Sequence, residues 1–373
     1  MTKTRILAFT AVAMTSTLGL AACGSDANTT GSTTTGSAAG GTSAASAPAA
    51  DCPSGTLKAE GSSAQKNAIE AAISSFQSAC ADVTINYNPT GSGAGIKQFV
   101  AGQVDFAGSD SALKPEEATA AAATCKAPAW NLPMVAGPVA IAYNLPGVDK
   151  LILSSDVAGK IFAGKITAWN DPAIAALNAG VTLPSDPIKV YFRSDESGTT
   201  DNFQKYLTAA AGTSWGLEAG KKWNGPSGEG KEKSAGVAGA VKAQKGGVTY
   251  VEWSYAQQNG LGIAWVDNGG GPVELTSATV GTMIGGAKQK GTGNDLSLEL
   301  DYATKTPGAY PINLVTYEIV CSKYSDAAKG KAVKAFLKHF GGAEVQGGLE
   351  KLGYAPLPTE VAGKVTAAID AIG

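Results

Sequence analysis

One histidine, His339, occurs in 373 residues. The scarcity matters because a serine nucleophile needs a general base. His339 stands among Phe336, Leu337 and Phe340, where it reads as an ordinary helix residue. The Gly-x-Ser-x-Gly pattern is missing around Ser197, and no grouping of histidines with carboxylates spells a catalytic metal. Hydrolase chemistry therefore lacks its parts, and no cofactor is implied. Basic charge is also short. With the amino-terminal Lys3 and Arg5 set aside, 29 basic residues fall to 27 against 31 acidic, a net charge near −4. A nucleic-acid binder ordinarily carries the opposite balance, so no nucleic-acid partner is expected. Only one long apolar run occurs, Ile6–Leu20, and no internal repeat is evident.

What is present first fixes the compartment. Lys3 and Arg5 precede the apolar run, which ends in Leu20-Ala-Ala-Cys23. Residues 1–22 read as a signal peptide, too short for a comfortable membrane span, and the small residues before Cys23 resemble a bacterial lipobox. Cleavage before Cys23 with lipid on its sulfur would leave the chain extracytoplasmic and anchored to the cell membrane. Residues 23–50 form the lipidated Cys23 and a tether. Gly24–Ala50 holds only Gly, Ser, Thr, Ala, Asn, one Pro and one Asp, too little apolar surface for a core. Such a disordered segment reaches about 30 Å. Residues 51–373 remain, enough for two lobes with separate cores. Cys52, Cys80, Cys125 and Cys321 in an exported chain indicate two disulfides, with three connectivities open. Proximity favours Cys52–Cys80, and elimination then leaves Cys125–Cys321.

The chain is organised around Ile188–Leu207. Ile188–Phe192 alternates as a strand, while Phe203, Tyr206 and Leu207 recur at helical spacing. Between them lies Arg193-Ser-Asp-Glu-Ser-Gly-Thr199. A helix start leaves backbone N–H groups unpaired, and its dipole favours an anion. Ser197 and Thr199 add hydroxyls, Gly198 lets backbone approach closely, and Arg193 offers a planar charged fork. Ordinary capping and a surface ion pair with Asp195 would account for the same residues.

Recurrence favours the anion site. Leu57–Glu60 is a short strand leading to Ser63, placed as an N-cap before the apolar face Ala68, Ile69, Ala72, Ile73, Phe76 and Ala79. Val83–Tyr87 leads through Gly91-Ser-Gly-Ala-Gly95, which carries Ser92, to a helix marked by Ile96, Phe99 and Val100. That turn lacks the Gly-Lys-Ser/Thr ending of a nucleotide P-loop. Val104–Asp110 ends in Ser109 and Asp110 before a further helix. In open α/β sheets such junctions gather at the carboxyl ends of strands, where ligands bind.

Gly-Ser-Gly-Ala-Gly-Ile-Lys-Gln98, Val-Asp-Phe-Ala-Gly-Ser-Asp110 and Arg-Ser-Asp-Glu-Ser-Gly-Thr199 occur in that order. Together they closely resemble the phosphate-specific substrate-binding proteins that feed bacterial ABC phosphate importers. The resemblance continues through Ile161–Asp171, Gly247–Gly260, Tyr310–Asn313 and Ala355–Pro358, nearly all of residues 51–373. It implies an α/β, two-lobed fold of the periplasmic-binding-protein type II, each lobe a sheet flanked by helices, with two hinge crossings. Residues 51–136 would open lobe I, 137–312 form lobe II, and 313–373 return to lobe I. Pro133–Asn144 and Tyr310–Val320 read as the crossings, and Ala332–Phe340 as a returning helix. Gly212–Gly236 reads as a surface excursion in which Trp215 and Trp223 are packing anchors.

The ligand implied is inorganic phosphate, and the partners are the permease subunits of an importer. The protein itself is expected to be a monomer. Carried over by position, Ser63, the Ala64 N–H and Ser92 would touch phosphate from lobe I, and Asp110 would accept its O–H. Arg193, Ser197, Gly198 and Thr199 would donate from lobe II, with Asp195 orienting Arg193. The family often has Thr-Phe where this chain has Ser63-Ala64, so an aromatic wall is lost. Selectivity has a physical basis: phosphate near neutral pH keeps a proton, whereas sulfate only accepts hydrogen bonds. A carboxylate at Asp110 pairs with the first and repels the second. An adhesin or signalling protein on the same fold is the rival class. Intact Ser92, Asp110 and Arg193–Thr199 argue for retained binding.

Overall fold

Three strand–helix units precede the longest strand in the computed structural model, which describes residues 52–373. The signal segment, Cys23 and the tether lie outside the described residues. Strand β1 (Gly55–Gly61) feeds helix α1 (Lys66–Ala79), β2 (Val83–Asn88) feeds α2 (Ser92–Val100), and β3 (Phe106–Ser109) feeds α3 (Pro115–Cys125). β1 lies between β2 and β3 and is parallel to both. Ala68, Ile69, Ala72, Ile73 and Phe76 of α1 are buried, as their spacing requires, whereas Ala79 at its end is exposed.

β4 (Ala129–Tyr143) is buried from Asn131 onward because it serves two sheets. Ala129–Pro138 pairs antiparallel with the return strand Asn313–Cys321, and Val139–Tyr143 pairs antiparallel with Val248–Glu252. A one-residue register slip interrupts the first ladder between Thr316 and Tyr317, opposite Pro133–Val135. Beyond β4 come β5 (Ile152–Ser154), α4 (Ser155–Phe162), α5 (Pro172–Leu177), β6 (Lys189–Arg193) and α6 (Gly198–Tyr206). Next come β7 (Glu229–Lys231), α7 (Lys233–Ala243), β8 (Gly247–Glu252) and α8 (Trp253–Asn259). β6 is parallel to both β7 and β8. The main path therefore runs β2-β1-β3, the return strand, β4, β8, β6, β7. This is a two-lobed α/β fold joined by β4, which pairs in both sheets, and by the chain that leads into the return strand.

Each half has its own apolar interior. Phe76, Phe106, Leu132 and Phe336 pack in the first, with Phe336 coming from the returning helix Ala327–Phe340. Phe162, Trp169, Phe203 and Tyr250 pack in the second. Residues 212–236 are less peripheral than their composition implied. Trp215 is buried, Trp223 stacks on Phe192 at 5.6 Å and Tyr250 at 5.3 Å, and the segment contributes β7 to the sheet edge.

The cysteines pair as Cys52–Cys80 and Cys125–Cys321, closing separations of 28 and 196 residues. Chain-entropy arguments give about 3.5 kcal/mol for the shorter closure and about 5 kcal/mol for the longer. Replacing Cys125 and Cys321 together by serine should therefore lower the unfolding free energy more than replacing Cys52 and Cys80. Chemical denaturation of the two double variants measures this, and the reverse order would reject the entropic account.

Candidate functional site

The carboxyl ends of β1 and β3 meet those of β6 and β7 at one buried cluster. Asp110, the residue after β3, is its acidic centre and is 3% exposed. Its Oδ1 accepts from Ser62 Oγ and from Thr316 Oγ1 at 2.8 Å. Its Oδ2 faces Ser92 Oγ at 3.3 Å and Thr199 Oγ1 at 3.4 Å. The Asp110 N–H donates to Ser92 Oγ, and its carbonyl accepts from Asn202 Nδ2 at 2.7 Å. Burial pushes this carboxyl above the ordinary range, while Ser62, Thr316, the Arg193 charge and Ser92 pull it back. One oxygen is thus committed to two hydroxyl donors, and the other is only weakly held.

Arg193 closes β6 and is buried. Its Nε donates to Asp195 Oδ1 at 2.7 Å, its Nη2 donates to Asp195 Oδ2, and its Nη1 donates to Ser234 Oγ at 3.2 Å. The Lys233 N–H also reaches Asp195 Oδ1, at 2.9 Å. Burial alone would raise the Asp195 carboxyl, but the guanidinium and the amide hold it below the usual carboxylate range. The fork is consequently fixed in plane, with Asp195 as its support.

Ser197 is the N-cap of α6 and accepts from the Thr200 N–H at 3.2 Å. Gly198 and Thr199 are the first helical residues, so their amides have no intrahelical acceptor. A Cβ at Gly198 would lie 2.6 Å from both Asp110 Cβ and Ser92 Oγ. Only glycine lets α6 approach Asp110 so closely. Across the cleft, the Gly93 N–H donates to the Glu196 carbonyl at 3.0 Å, and a Cβ there would sit 2.5 Å from Glu196 Cβ. The glycine-rich turn therefore packs tightly against the α6 turn while presenting Ser92 to the same centre. Lys97 and Glu196 pair at 2.7 Å beside it, an arrangement with the two halves closed on each other.

Ser63 departs from its expected role. The residue before α1 is Gln65, and Ser62 Oγ accepts from the Ala64 N–H at 3.1 Å and the Gln65 N–H at 3.4 Å. Two adjacent serines come after Gly61, and the chain turns so that Ser62 supports the helix start. Ser63 instead looks across the cleft: its Oγ lies 3.1 Å from Ser234 Oγ and accepts the Ser234 N–H at 3.2 Å. The structure brings Ser63, Ser92, Asp110, Arg193, Ser197, Gly198 and Thr199 to one place. Ala64 is adjacent, with its N–H turned to Ser62.

Sequence reasoning missed Ser62, Thr316, Asn202 and Ser234. Thr316 had a signal, a polar residue inside the apolar run Asn313–Cys321. Ser234 had none, because nothing in Lys231–Ser234 distinguishes a cleft residue from a solvated helix start. Ser197 Oγ acts as a helix cap, and His339 Nε2 lies 2.7 Å from Ser75 Oγ against Phe76, so the histidine belongs to the α1 packing.

The site can hold a small oxyanion through hydroxyls, free helix amides and a guanidinium, with one carboxylate oxygen able to accept a proton-bearing ligand oxygen. Comparison with known proteins gives the same direction. The description "PBP superfamily domain" matches residues 42–341. The chain is 48% identical over 359 residues to phosphate-binding protein PstS 3 of Mycobacterium tuberculosis, covering 95% of each. It is 34% identical over 290 residues to phosphate-binding protein PstS of Xylella fastidiosa, covering 76% of each. The solved phosphate-binding protein from Stenotrophomonas maltophilia matches with a TM-score of 0.65 at 22% identity, covering 84% of this chain and 93% of that one, a likeness of fold.

Proposed function

The chain belongs to the PstS family of phosphate-binding proteins, and on that premise we propose that it captures inorganic phosphate between its lobes. It works outside the cytoplasm as the substrate-binding component of an ABC phosphate importer and makes or breaks no covalent bond. Ser63, Ser92 and Asp110 bind from one lobe, joined by the Ala64 N–H once Ser62 Oγ releases it, and Arg193, Ser197, Gly198 and Thr199 bind from the other. Asp195 fixes the Arg193 fork. Ser234, which links Ser63 to Arg193, joins the site as a contact between lobes. The lobes divide at 136/137 and 312/313, close to where β4 changes partner and where the return strand begins. Cys23 carries the lipid that keeps the monomer at the membrane, from which it hands phosphate to the permease subunits.

The observation that carries the reading is Asp110: a buried carboxylate whose Oδ1 is filled by Ser62 and Thr316 while Oδ2 faces the α6 amino-terminus. A receptor for a fully ionised oxyanion would gain nothing from a negative charge there. Calorimetric titration of the protein, freed of bound anion, should show tight one-to-one binding of phosphate near neutral pH and no binding of sulfate. Equal binding of both would remove the proton-acceptor role, and binding of neither would remove the receptor reading.

A further inference from the structure

A second acid lies behind the site with no role in ligand contact. Glu318 is on the return strand, opposite Gly108 of β3 and Leu132 of β4, and is fully buried. Among the described residues neither of its carboxyl oxygens has a hydrogen-bond partner, and neither does Gln65 Oε1. The Gln65 amide is near enough to act on the carboxyl but makes no hydrogen bond of ordinary geometry to it. Three buried acceptor oxygens without a donor are costly. A proton on Glu318 turns one of these acceptors into a donor, and Gln65 Oε1, on the neighbour that acts on this carboxyl, is an acceptor that lacks one.

The other end of Gln65 leads to the anion site. Gln65 Nε2 donates to Tyr87 Oη at 3.0 Å, Tyr87 Oη–H donates to the Ser62 carbonyl at 2.7 Å, and Ser62 Oγ–H donates to Asp110 Oδ1. We propose that Glu318 is a positioning residue held as a neutral acid, whose O–H orients Gln65 and, through Tyr87 and Ser62, the Asp110 carboxylate. The proposal rests on the phosphate-receptor reading. Ionisation of Glu318 would remove the donor and place a second negative charge behind Asp110, in surroundings that screen it poorly.

Burial pushes the Glu318 carboxyl up to about 8; the Gln65 amide opposes this and Asp110 adds to it. Below that pH the acid is neutral and the site intact; above it the charge appears and anion affinity falls. A bound anion makes the ionisation harder still, which is the same coupling seen from the other side. The groups facing Glu318 are Tyr87 from β2 and Asp110 after β3; Leu132 faces it from β4, and Tyr255 of α8 acts on Tyr87. Burial raises both tyrosines, so they stay neutral across this interval. Phosphate keeps its last proton there as well.

The test is phosphate affinity at constant ionic strength from pH 7 to 9.5, for the intact protein and for Glu318→Gln. The glutamine amide can donate to Gln65 Oε1 but cannot ionise. Wild-type affinity should fall about tenfold across the rise from pH 8 to 9.5, one proton's linkage, and the variant's profile should be flatter. A flat wild-type profile, or a parallel fall in both proteins, overturns the proposal. If the variant does not fold, infrared difference spectra of the wild type between pH 7 and 9.5 should show loss of a neutral-carboxyl band, and an unchanged band overturns it. Failure of the wild type to bind phosphate at pH 7 would overturn the receptor reading and this proposal with it.

Discussion

Arg193→Ala is expected to weaken phosphate binding by roughly thirtyfold to several thousandfold, the range for deleting one member of a buried charged hydrogen-bond set. The loss has two parts. The anion forfeits a guanidinium donor, and Ser234 and Asp195 lose the group that ties them together. Removing one partner of a buried pair costs about 3–5 kcal/mol of stability. The figure here should sit near the lower end, because Asp195 is partly exposed and keeps the Lys233 N–H. Arg193→Lys retains charge but cannot span both Asp195 oxygens while reaching Ser234, so it should bind better than alanine and well below wild type. A pH series separates the parts. The pair holds Asp195 below the ordinary carboxylate range, so its stabilisation is complete at neutral pH. It is lost as pH falls through that lowered value, and Arg193→Ala should lack this acid-side loss. Calorimetry and chemical denaturation together make the check. Phosphate affinity within a few-fold of wild type would remove Arg193 from the site.

Such a prediction was partly available from sequence because β6 and its turn announce themselves. Alternation in Ile188–Phe192 marks the strand, and hydroxyls with glycine mark the turn after it. The start of α6 was harder to place. Its first residues, Gly198, Thr199 and Thr200, carry no apolar period, so the recognisable pattern starts only at Asp201 although Ser197 already caps the helix. The same limit hid that Ser62, not Ser63, accepts the amides just ahead of α1, since two adjacent serines differ only by how β1 leaves the sheet. Edge strand β7 escaped notice because an edge needs backbone pairing and little apolar surface. Thr316 and Glu318 lie two apart on a buried strand, hence on one face, yet sequence cannot say that this face backs the anion site. Disulfide pairing was easier: once Cys52 and Cys80 are joined, only one alternative remains for the other two.

The sharpest expectation concerns Asp110→Asn. In the wild type, Oδ1 is occupied by Ser62 and Thr316, so only Oδ2 is free to accept a ligand proton. Asparagine can keep its carbonyl toward Ser62 and Thr316, which leaves its NH2 in the place of Oδ2. The Ser92 and Thr199 hydroxyls can rotate to accept, and a ligand oxygen without a proton then meets a donor where it met a negative charge. Phosphate should still bind, more weakly, while sulfate gains. Sites built around a buried hydrogen bond discriminate by about 10⁴ or more, and the phosphate-to-sulfate ratio should narrow by about a hundredfold or more. Unfolding is not the explanation to expect: burial raises the Asp110 carboxyl, so its ionised form costs stability at neutral pH, and the uncharged amide should be at least as stable. The wild type offers an internal control. As pH falls through the raised value, Asp110 takes up a proton and becomes a donor itself, so sulfate competition should grow in acid. The asparagine variant, which has no proton to gain there, should show a ratio independent of pH over the same interval. Unchanged selectivity in the variant, or a wild-type ratio indifferent to acid, would mean that the ligand proton is read somewhere other than Asp110.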